Sequence, residues 1–208
     1  IGVCFLSCWA MAADKELRAI THEDVWLTKR LGTPVVSPDG SKVVVSVNQP
    51  SYEEDGATSD LWLVDVAGES EALQLTATPE TEGGVAWSPD GSKIAFTTKR
   101  GKDDVSQVYL LSMTGPGEAV AITNISTGAK NPQWSPDGNY IAFESRVYPN
   151  ASDDESNRAE KKSRQESDVN VSVYESFPIR QWDRWRDDLQ THLFVQEAKS
   201  GAPAKNLL

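Results

Sequence analysis

The chain has 208 residues, enough for one domain or slightly more with a sizeable core. Hydrophobic residues make up 38% and charged residues 25% of it, which excludes an integral membrane bundle and a fully disordered chain. The net charge of -11 predicts a surface that repels phosphate groups, so we expect neither nucleic acid nor a membrane as a partner.

Residues 1–12 are predicted to be the remaining part of a truncated signal peptide. They are mostly apolar, and Ala10 and Ala12 are small residues at the two positions that signal peptidase reads. The run is too short to span a bilayer, and a buried strand or an anchor is the alternative. Cys4 and Cys8 both lie in it, so a mature chain would have no disulfide and no thiolate site. We therefore expect a periplasmic or secreted protein.

Residues 13–33 are predicted to form a short N-terminal helix and a linker. Thr21 is a suitable N-cap for a helix that begins at His22, and Asp24 lies three residues after Thr21, as in a capping box. The helix is expected to end near Gly32, because glycine and the following Thr-Pro pair do not continue a helix.

Three copies of one unit follow. Each contains Ser-Pro-Asp-Gly, which starts at Ser37, Ser88 and Ser135. Proline presets a turn, aspartate accepts hydrogen bonds from the turn backbone and glycine accepts positive φ, so the tetrapeptide predicts a hairpin turn. The flanking residues alternate with period two and are rich in β-branched and aromatic types, which indicates strands.

Each copy continues with a second apolar segment and a short third one. The second segments are residues 60–66, 107–113 and 191–198, and the third are 73–76, 120–123 and 206–208. Four strands in a unit of 40–50 residues are typical of a β-propeller blade, which buries its two apolar faces by stacking on neighbouring copies. Trp87 and Trp134 are expected to pack between adjacent sheets, where the first copy has Val36.

The predicted fold is therefore all-β: a partial β-propeller of about three four-stranded antiparallel blades, preceded by the short helix. The blades are placed at about residues 34–80, 81–127 and 128–208. Because a propeller ring needs typically four to eight blades, we expect the chain to be truncated at its C-terminus as well.

The third copy contains an insertion at about residues 146–190. Its polar stretch, residues 150–168, is interpreted as a mobile loop or as a helix with one weak apolar face. A cluster of arginine and tryptophan follows, consisting of Arg180, Trp182, Arg184 and Trp185. Because arginine stacks on tryptophan and binds carboxylates, we interpret these four as substrate-binding or domain-docking residues. The alternative is that both tryptophans pack the insertion onto the blade.

No catalytic residue, metal site or cofactor is predicted. Neither His22 nor His192 has a candidate nucleophile nearby in the sequence, and two histidines without cysteine make a poor zinc site. The acidic clusters lack the spacing of a calcium loop. The chain also lacks the G-x-S-x-G nucleophile motif of α/β-hydrolases.

The motif W-S-P-D-G-x-x-I-A-F, as at 87–96, resembles repeats of two groups of exported propellers. One is the N-terminal propeller of prolyl oligopeptidase-family serine peptidases, and the other is the propeller of TolB-like periplasmic proteins. The N-terminal helix and the stretch P-I-R-x-W-D-x-W at 178–185 favour the peptidases, of dipeptidyl- or acylaminoacyl-peptidase type.

This resemblance implies a propeller that gates the access of short peptides to a C-terminal α/β-hydrolase domain, which carries the Ser-His-Asp triad and is absent from this chain. The chain alone would then be inactive, and its partners would be that domain and, through the parent enzyme, short peptides. The alternative is a TolB-like periplasmic propeller that binds proteins and catalyses nothing. A propeller that senses sugars or polymers is a third possibility.

Overall fold

The computed structural model of the chain describes residues 18–52, 56–167, 180–182, 184–185 and 187–208. The predicted signal peptide, residues 1–12, lies outside the described residues. No helix in the described part of the chain combines the length and the apolar character that a bilayer crossing requires.

The N-terminal helix begins where the sequence predicts and ends earlier. Helix α1 spans His22–Trp26, and the Thr21 hydroxyl accepts a hydrogen bond from the Asp24 N–H at 3.3 Å, while the Asp24 carboxylate accepts from the Thr21 N–H at 2.8 Å. The expectation that the helix reaches Gly32 is wrong. Helix α1 buries no residue, and Arg30–Leu31 instead form strand β1 on the edge of the first sheet.

The first blade contains β1 and four further strands, β2 (Val35–Val36), β3 (Lys42–Pro50), β4 (Ala57–Asp65) and β5 (Leu73–Gln74). The strands pair antiparallel, and both β1 and β2 pair with β3. Two short strands therefore share one edge of β3, which gives the sheet five strands.

The second blade is a four-stranded antiparallel meander of β6 (Gly83–Trp87), β7 (Lys93–Thr98), β8 (Gln107–Ser112) and β9 (Val120–Ala121). The third begins with β10 (Lys130–Trp134) and β11 (Tyr140–Val147). Its insertion contains α2 (Asp154–Glu166), β12 (Arg180–Gln181) and β13 (Arg184–Trp185), and β14 (Gln190–Glu197) and β15 (Lys205–Asn206) complete the sheet. The all-β fold of three blades is thus confirmed.

The Ser-Pro-Asp-Gly segments form the predicted turns. Their glycines, Gly40, Gly91 and Gly138, have φ of 75°, 70° and 71°. In the first turn the Asp39 carboxylate accepts hydrogen bonds from the Ser37 hydroxyl at 2.6 Å and from the Ser41 N–H at 3.1 Å. These bonds recur in the other two copies, so the turn is the same in each blade.

The core lies between the blades. Ile94 and Phe96 pack with Val44 and Leu61 of the first blade, whereas Ala95 belongs to the cluster shared with the third blade. Adjacent residues of β7 therefore face opposite neighbours, as the period-two pattern predicts.

Trp87 and Trp134 pack between adjacent sheets, as predicted. The indole Nε1 of Trp87 donates a hydrogen bond to the Val35 carbonyl at 3.0 Å, and that of Trp134 donates to the Ala86 carbonyl at 3.1 Å. Each tryptophan thus joins its blade to the preceding one. Val36 is the counterpart of these tryptophans in the first blade. Its side chain has no hydrogen-bond donor and is 55% exposed.

Candidate functional site

The candidate site lies at the end of the blades away from the Ser-Pro-Asp-Gly turns. In a meander, successive connections alternate between the two ends of the sheet. The links after β3, β7 and β11 therefore share one end, which we call the insertion face. In the second blade this link runs only from Thr98 to Gln107, whereas in the third blade it runs from Val147 to Gln190 and carries α2 and the β12–β13 hairpin.

Helix α2 forms because its first turn is capped. Asp153 is the N-cap, and its carboxylate accepts a hydrogen bond from the Ser156 N–H at 2.8 Å. Asp154 and Glu155 then place negative charge at the positive end of the helix dipole. Of the two interpretations of this stretch, the structure shows the helix, and Asn157 is its one buried residue.

Polar contacts hold α2 to the loop that joins β9 to β10. The Asn157 side chain accepts from the Tyr148 N–H at 2.8 Å and donates to the Thr127 hydroxyl at 2.9 Å. The Asp154 carboxylate accepts from the Ser126 N–H at 2.8 Å, and Lys161 Nζ donates to the Ser126 carbonyl at 2.6 Å. The insertion is therefore fastened to the link between the second and third blades.

Two ion pairs hold the chain just after the β12–β13 hairpin. The Arg164 guanidinium lies 4.4 Å from the centroid of the Tyr148 ring and donates to both Asp188 carboxylate oxygens, at 3.0 and 2.8 Å. Arg146 pairs with Asp187 through a single contact, from its Nη2 to one carboxylate oxygen. The hydrogen bonds with Asp188 and then with Glu160 raise the pKa of Arg164, and the bond from Arg164 lowers the pKa of Asp188.

The four predicted site residues lie together in this hairpin. Arg180 pairs with Trp185 across the two strands, and Arg184 lies in β13 opposite Gln181. Trp182 occupies the turn with a φ of 56° and is 93% exposed, and Arg180 is also exposed. For Trp182, the alternative of packing onto the blade is therefore wrong. A role of the four residues in substrate binding or domain docking stays a prediction.

The sequence does not predict a buried ion pair that lies near the insertion face. The Glu82 side chain is fully buried, and its Oε1 accepts from Arg100 Nε at 3.1 Å and from the Thr78 hydroxyl at 3.2 Å. The Arg100 guanidinium also lies 5.4 and 5.5 Å from the ring centroids of Phe96 and Tyr109. Since Glu82 also bonds to Ser59 of the first blade through its backbone, this pair joins two blades.

The phenol of Tyr109 extends the same cluster towards the loop between β7 and β8. Its hydroxyl donates to the Asp103 carboxylate at 2.7 Å. Burial and this hydrogen bond raise the pKa of Tyr109 to about 12, so the phenol stays protonated at neutral pH. A lone glutamate gives no signal of such a cluster in the sequence, because its charged partner Arg100 lies 18 positions away in another loop.

The two histidines occupy separate places. His22 stacks on Trp26 with ring centroids 6.1 Å apart, and its Nδ1 lies 3.1 Å from the Tyr52 hydroxyl. His192 lies in β14, with Nδ1 3.0 Å from Asn206 Nδ2. Within the described ranges, no three His, Cys, Asp or Glu side chains converge as metal ligands would.

Comparison with known proteins agrees with the observed blades. A family model described as the TolB beta propeller domain matches residues 21–172. Over 82 residues the chain is 34% identical to dipeptidyl-peptidase 5 of Porphyromonas gingivalis, and this alignment covers 39% of the chain and 12% of that protein.

Solved structures share the fold at low sequence identity. The apo AtxE2 isopeptidase matches 91% of the chain with a TM-score of 0.63 and 19% identity, over 32% of its own chain. An acylaminoacyl peptidase of Pyrococcus horikoshii matches 89% with a TM-score of 0.58 and 12% identity, over 27% of its chain. A TolB-type protein of Agrobacterium tumefaciens matches 83% with a TM-score of 0.51 and 18% identity, over 47% of its chain. The chain therefore spans less than half the length of each of these proteins.

Proposed function

The chain belongs to the TolB β-propeller domain family, and from that premise we propose that it is the propeller part of a secreted or periplasmic serine exopeptidase. The proposed enzyme is of dipeptidyl- or acylaminoacyl-peptidase type. In it the propeller restricts the access of peptides to a hydrolase domain that lies outside this chain. The propeller itself contributes no residue to the catalytic triad.

The insertion of the third blade is the observation that carries this proposal. A blade of this family needs only a short link at that position, as the second blade shows. The third blade instead has a helix and a hairpin, held by a buried asparagine and two arginine–carboxylate pairs. An appendage fixed in this way at one end of the blades has the position and the anchoring that a gate requires.

The chemistry of the hairpin suits contact with a peptide. Trp182 offers a large exposed apolar surface at the turn, which favours contact with apolar side chains. Arg180 is exposed beside it and offers a planar donor for a carboxylate or a backbone carbonyl. The similarity to dipeptidyl-peptidase 5 supports a peptide as the substrate class.

The gate is tested in the full-length protein with chromogenic substrates of dipeptidyl and aminoacyl type. We expect Trp182→Ala and Arg180→Ala to change kcat/KM for peptides. We also expect Asp188→Asn, which removes a carboxylate from the Arg164 pair, to increase the cleavage of long peptides relative to short ones. Lys199→Ala is the matched control, because it breaks an exposed pair with Glu197 near the turn end of the third blade. Equal kinetics in all of these variants and unchanged thermal stability would contradict the gate.

The non-catalytic TolB-like binding module is the second candidate. The family match and the likeness to the Agrobacterium tumefaciens protein favour it, since neither requires a hydrolase. A full-length protein that cleaves neither class of chromogenic substrate would contradict the peptidase and support this alternative. The hairpin would then be a surface for docking a protein partner.

A further inference from the structure

Two buried oxygen atoms beside the Glu82–Arg100 ion pair have no hydrogen-bond partner among the described residues. They are Oε2 of Glu82 and Oγ1 of Thr98. Both residues are only 1% exposed, so bulk water does not reach these atoms. Buried polar atoms without a partner are rare in folded proteins, because such an atom loses its bonds to water and gains none in return. The two atoms therefore point to a bound ligand.

The two side chains are neighbours where the second blade meets the first. Gly83 pairs with Thr97 in the β6–β7 ladder, so Glu82 and Thr98, the residues just beyond this pair, come next to each other. Thr98 lies two positions after Phe96 in β7 and therefore on the same face of the strand. Phe96 belongs to the core cluster that is shared with the first blade. The two oxygen atoms thus lie at the joint between these blades.

The chemistry of the two atoms suits one water molecule. In the carboxylate that pairs with Arg100, Oε2 of Glu82 can only accept a hydrogen bond, whereas the Thr98 hydroxyl can donate or accept. A donor and an acceptor in direct contact would bond to each other, and these two do not. A water between them can accept from the hydroxyl and donate to Oε2, which satisfies both atoms.

A cation fits this place poorly. Arg100 already balances the charge of Glu82, and its guanidinium would repel a second cation on the same carboxylate. Hard cations such as Ca²⁺ also take about six to eight oxygen ligands. In the part of the chain that the structure describes, two buried side-chain oxygens lack a partner, and a water needs only about two to four polar partners. The ligand is therefore small and neutral.

We infer that one internal water molecule binds between Glu82 Oε2 and Thr98 Oγ1. This water completes the joint between the first and second blades. There the Glu82 N–H donates to the Ser59 carbonyl at 2.9 Å, and the Ser59 hydroxyl donates to the Glu82 carbonyl at 3.0 Å. The water lets the Glu82–Arg100 pair stay buried without leaving a carboxylate oxygen unsatisfied. The assignment goes beyond the proposed function and holds whether or not the protein is a peptidase.

A crystal structure of the full-length protein, at a resolution that shows ordered waters, tests the site directly. We expect one density peak at about 2.6–3.2 Å from both Glu82 Oε2 and Thr98 Oγ1. Thr98→Val keeps the branched shape but removes the hydroxyl, so we expect the peak to be lost. Thr98→Ser keeps the hydroxyl, so we expect the peak to remain.

Thermal unfolding of the same variants gives a second readout, in which the sign of the change decides. If a water forms the bridge, Thr98→Val breaks it and lowers the unfolding midpoint by about 2 °C. Removal of a buried hydroxyl that bonds to nothing would instead raise the midpoint.

Thr123→Val is the matched control for a buried threonine whose hydroxyl has protein partners. The Thr123 hydroxyl accepts from the Val108 N–H at 2.8 Å and donates to Gln107 Oε1 at 2.7 Å. We therefore expect this variant to be less stable than the unmodified protein, with the density peak beside Glu82 unchanged.

The inference is overturned if the unmodified protein shows no density between the two atoms, or if Thr98→Val unfolds at the same or a higher temperature. A peak surrounded by about six or more oxygen atoms at about 2.3–2.6 Å would also overturn it, because that geometry belongs to a cation. Cleavage of chromogenic substrates reports on the proposed function separately. A full-length protein that cleaves nothing would overturn the peptidase and leave the water site standing.

Discussion

At the residue scale, the tryptophans before the second and third turns have two roles. Their rings fill the space between sheets, and their indole N–H groups donate to the backbone carbonyl of the preceding blade at 3.0 and 3.1 Å. The sequence predicts the first role from position alone. The second role, the hydrogen bond, depends on how two neighbouring sheets are aligned with each other, which a single sequence does not reveal.

We predict that Trp134→Phe destabilises the protein by about 1 kcal/mol, because phenylalanine keeps most of the apolar contact but cannot donate to the Ala86 carbonyl. Thermal or chemical unfolding of the full-length protein measures the loss. Trp182→Phe is the control, since the Trp182 side chain is 93% exposed. Equal effects of the two substitutions would contradict the role of the inter-blade hydrogen bond.

At the scale of an element, α2 is attached by polar groups rather than by an apolar face. Asn157 is 1% exposed, and its amide bonds to groups on both sides of the joint between the second and third blades. This explains why the sequence alone does not decide between a mobile loop and a helix with one weak apolar face. The hydrophobic pattern carries no signal when the buried residue is an asparagine whose partners lie up to 31 positions away.

We predict that Asn157→Ala releases α2, because it leaves the Tyr148 N–H without its acceptor and removes the donor to the Thr127 hydroxyl. Loss of a buried hydrogen-bonding group costs about 1–3 kcal/mol. Hydrogen exchange should therefore become faster across α2 and stay unchanged in β11. Ser163→Ala, an exposed position on the same helix, is the control. Unaltered hydrogen exchange in α2 would contradict the prediction, because the other contacts of α2 would then suffice to hold it in place.

The strands were predictable where the turn chemistry and the period-two pattern coincide. All three Ser-Pro-Asp-Gly turns and the strands after them lie where the sequence places them. The end of α1 was not predictable, because Arg30 and Leu31 pair with β3, and this contact is distant in sequence. For the candidate site, the arginine–tryptophan cluster of the hairpin was predictable from the sequence, whereas the Glu82–Arg100 pair was not.

At the scale of the whole molecule, the three turn aspartates make stability depend on pH. The serine hydroxyl before each aspartate and the backbone N–H after it lower the pKa of Asp39, Asp90 and Asp137 to about 2. The unfolded value lies near 4. The stabilisation is therefore complete above about pH 4 and is lost as the pH falls towards 2, because the folded state must then accept protons that it binds weakly.

We predict that replacing all three turn aspartates with asparagine flattens this acid dependence. Between about pH 4 and pH 2 the variant should lose less stability than the unmodified protein. The reason is that it lacks the three carboxylates whose pKa is lower in the folded than in the unfolded state. Unfolding midpoints measured at several pH values test this. Glu118→Gln, which removes an exposed carboxylate, is the control, and an identical pH profile of the triple variant and the unmodified protein would contradict the prediction.

The tryptophan hydrogen bonds between blades both run from one blade to the preceding blade. This common direction bears on how a propeller gains blades by gene duplication. The second blade supplies both halves of the joint: Trp87 donates backwards to Val35, and the Ala86 carbonyl receives Trp134. A repeat that carries its own donor and its own acceptor brings a complete joint wherever an in-frame duplication inserts it. Gene duplication can thus change the number of blades without requiring a new interface.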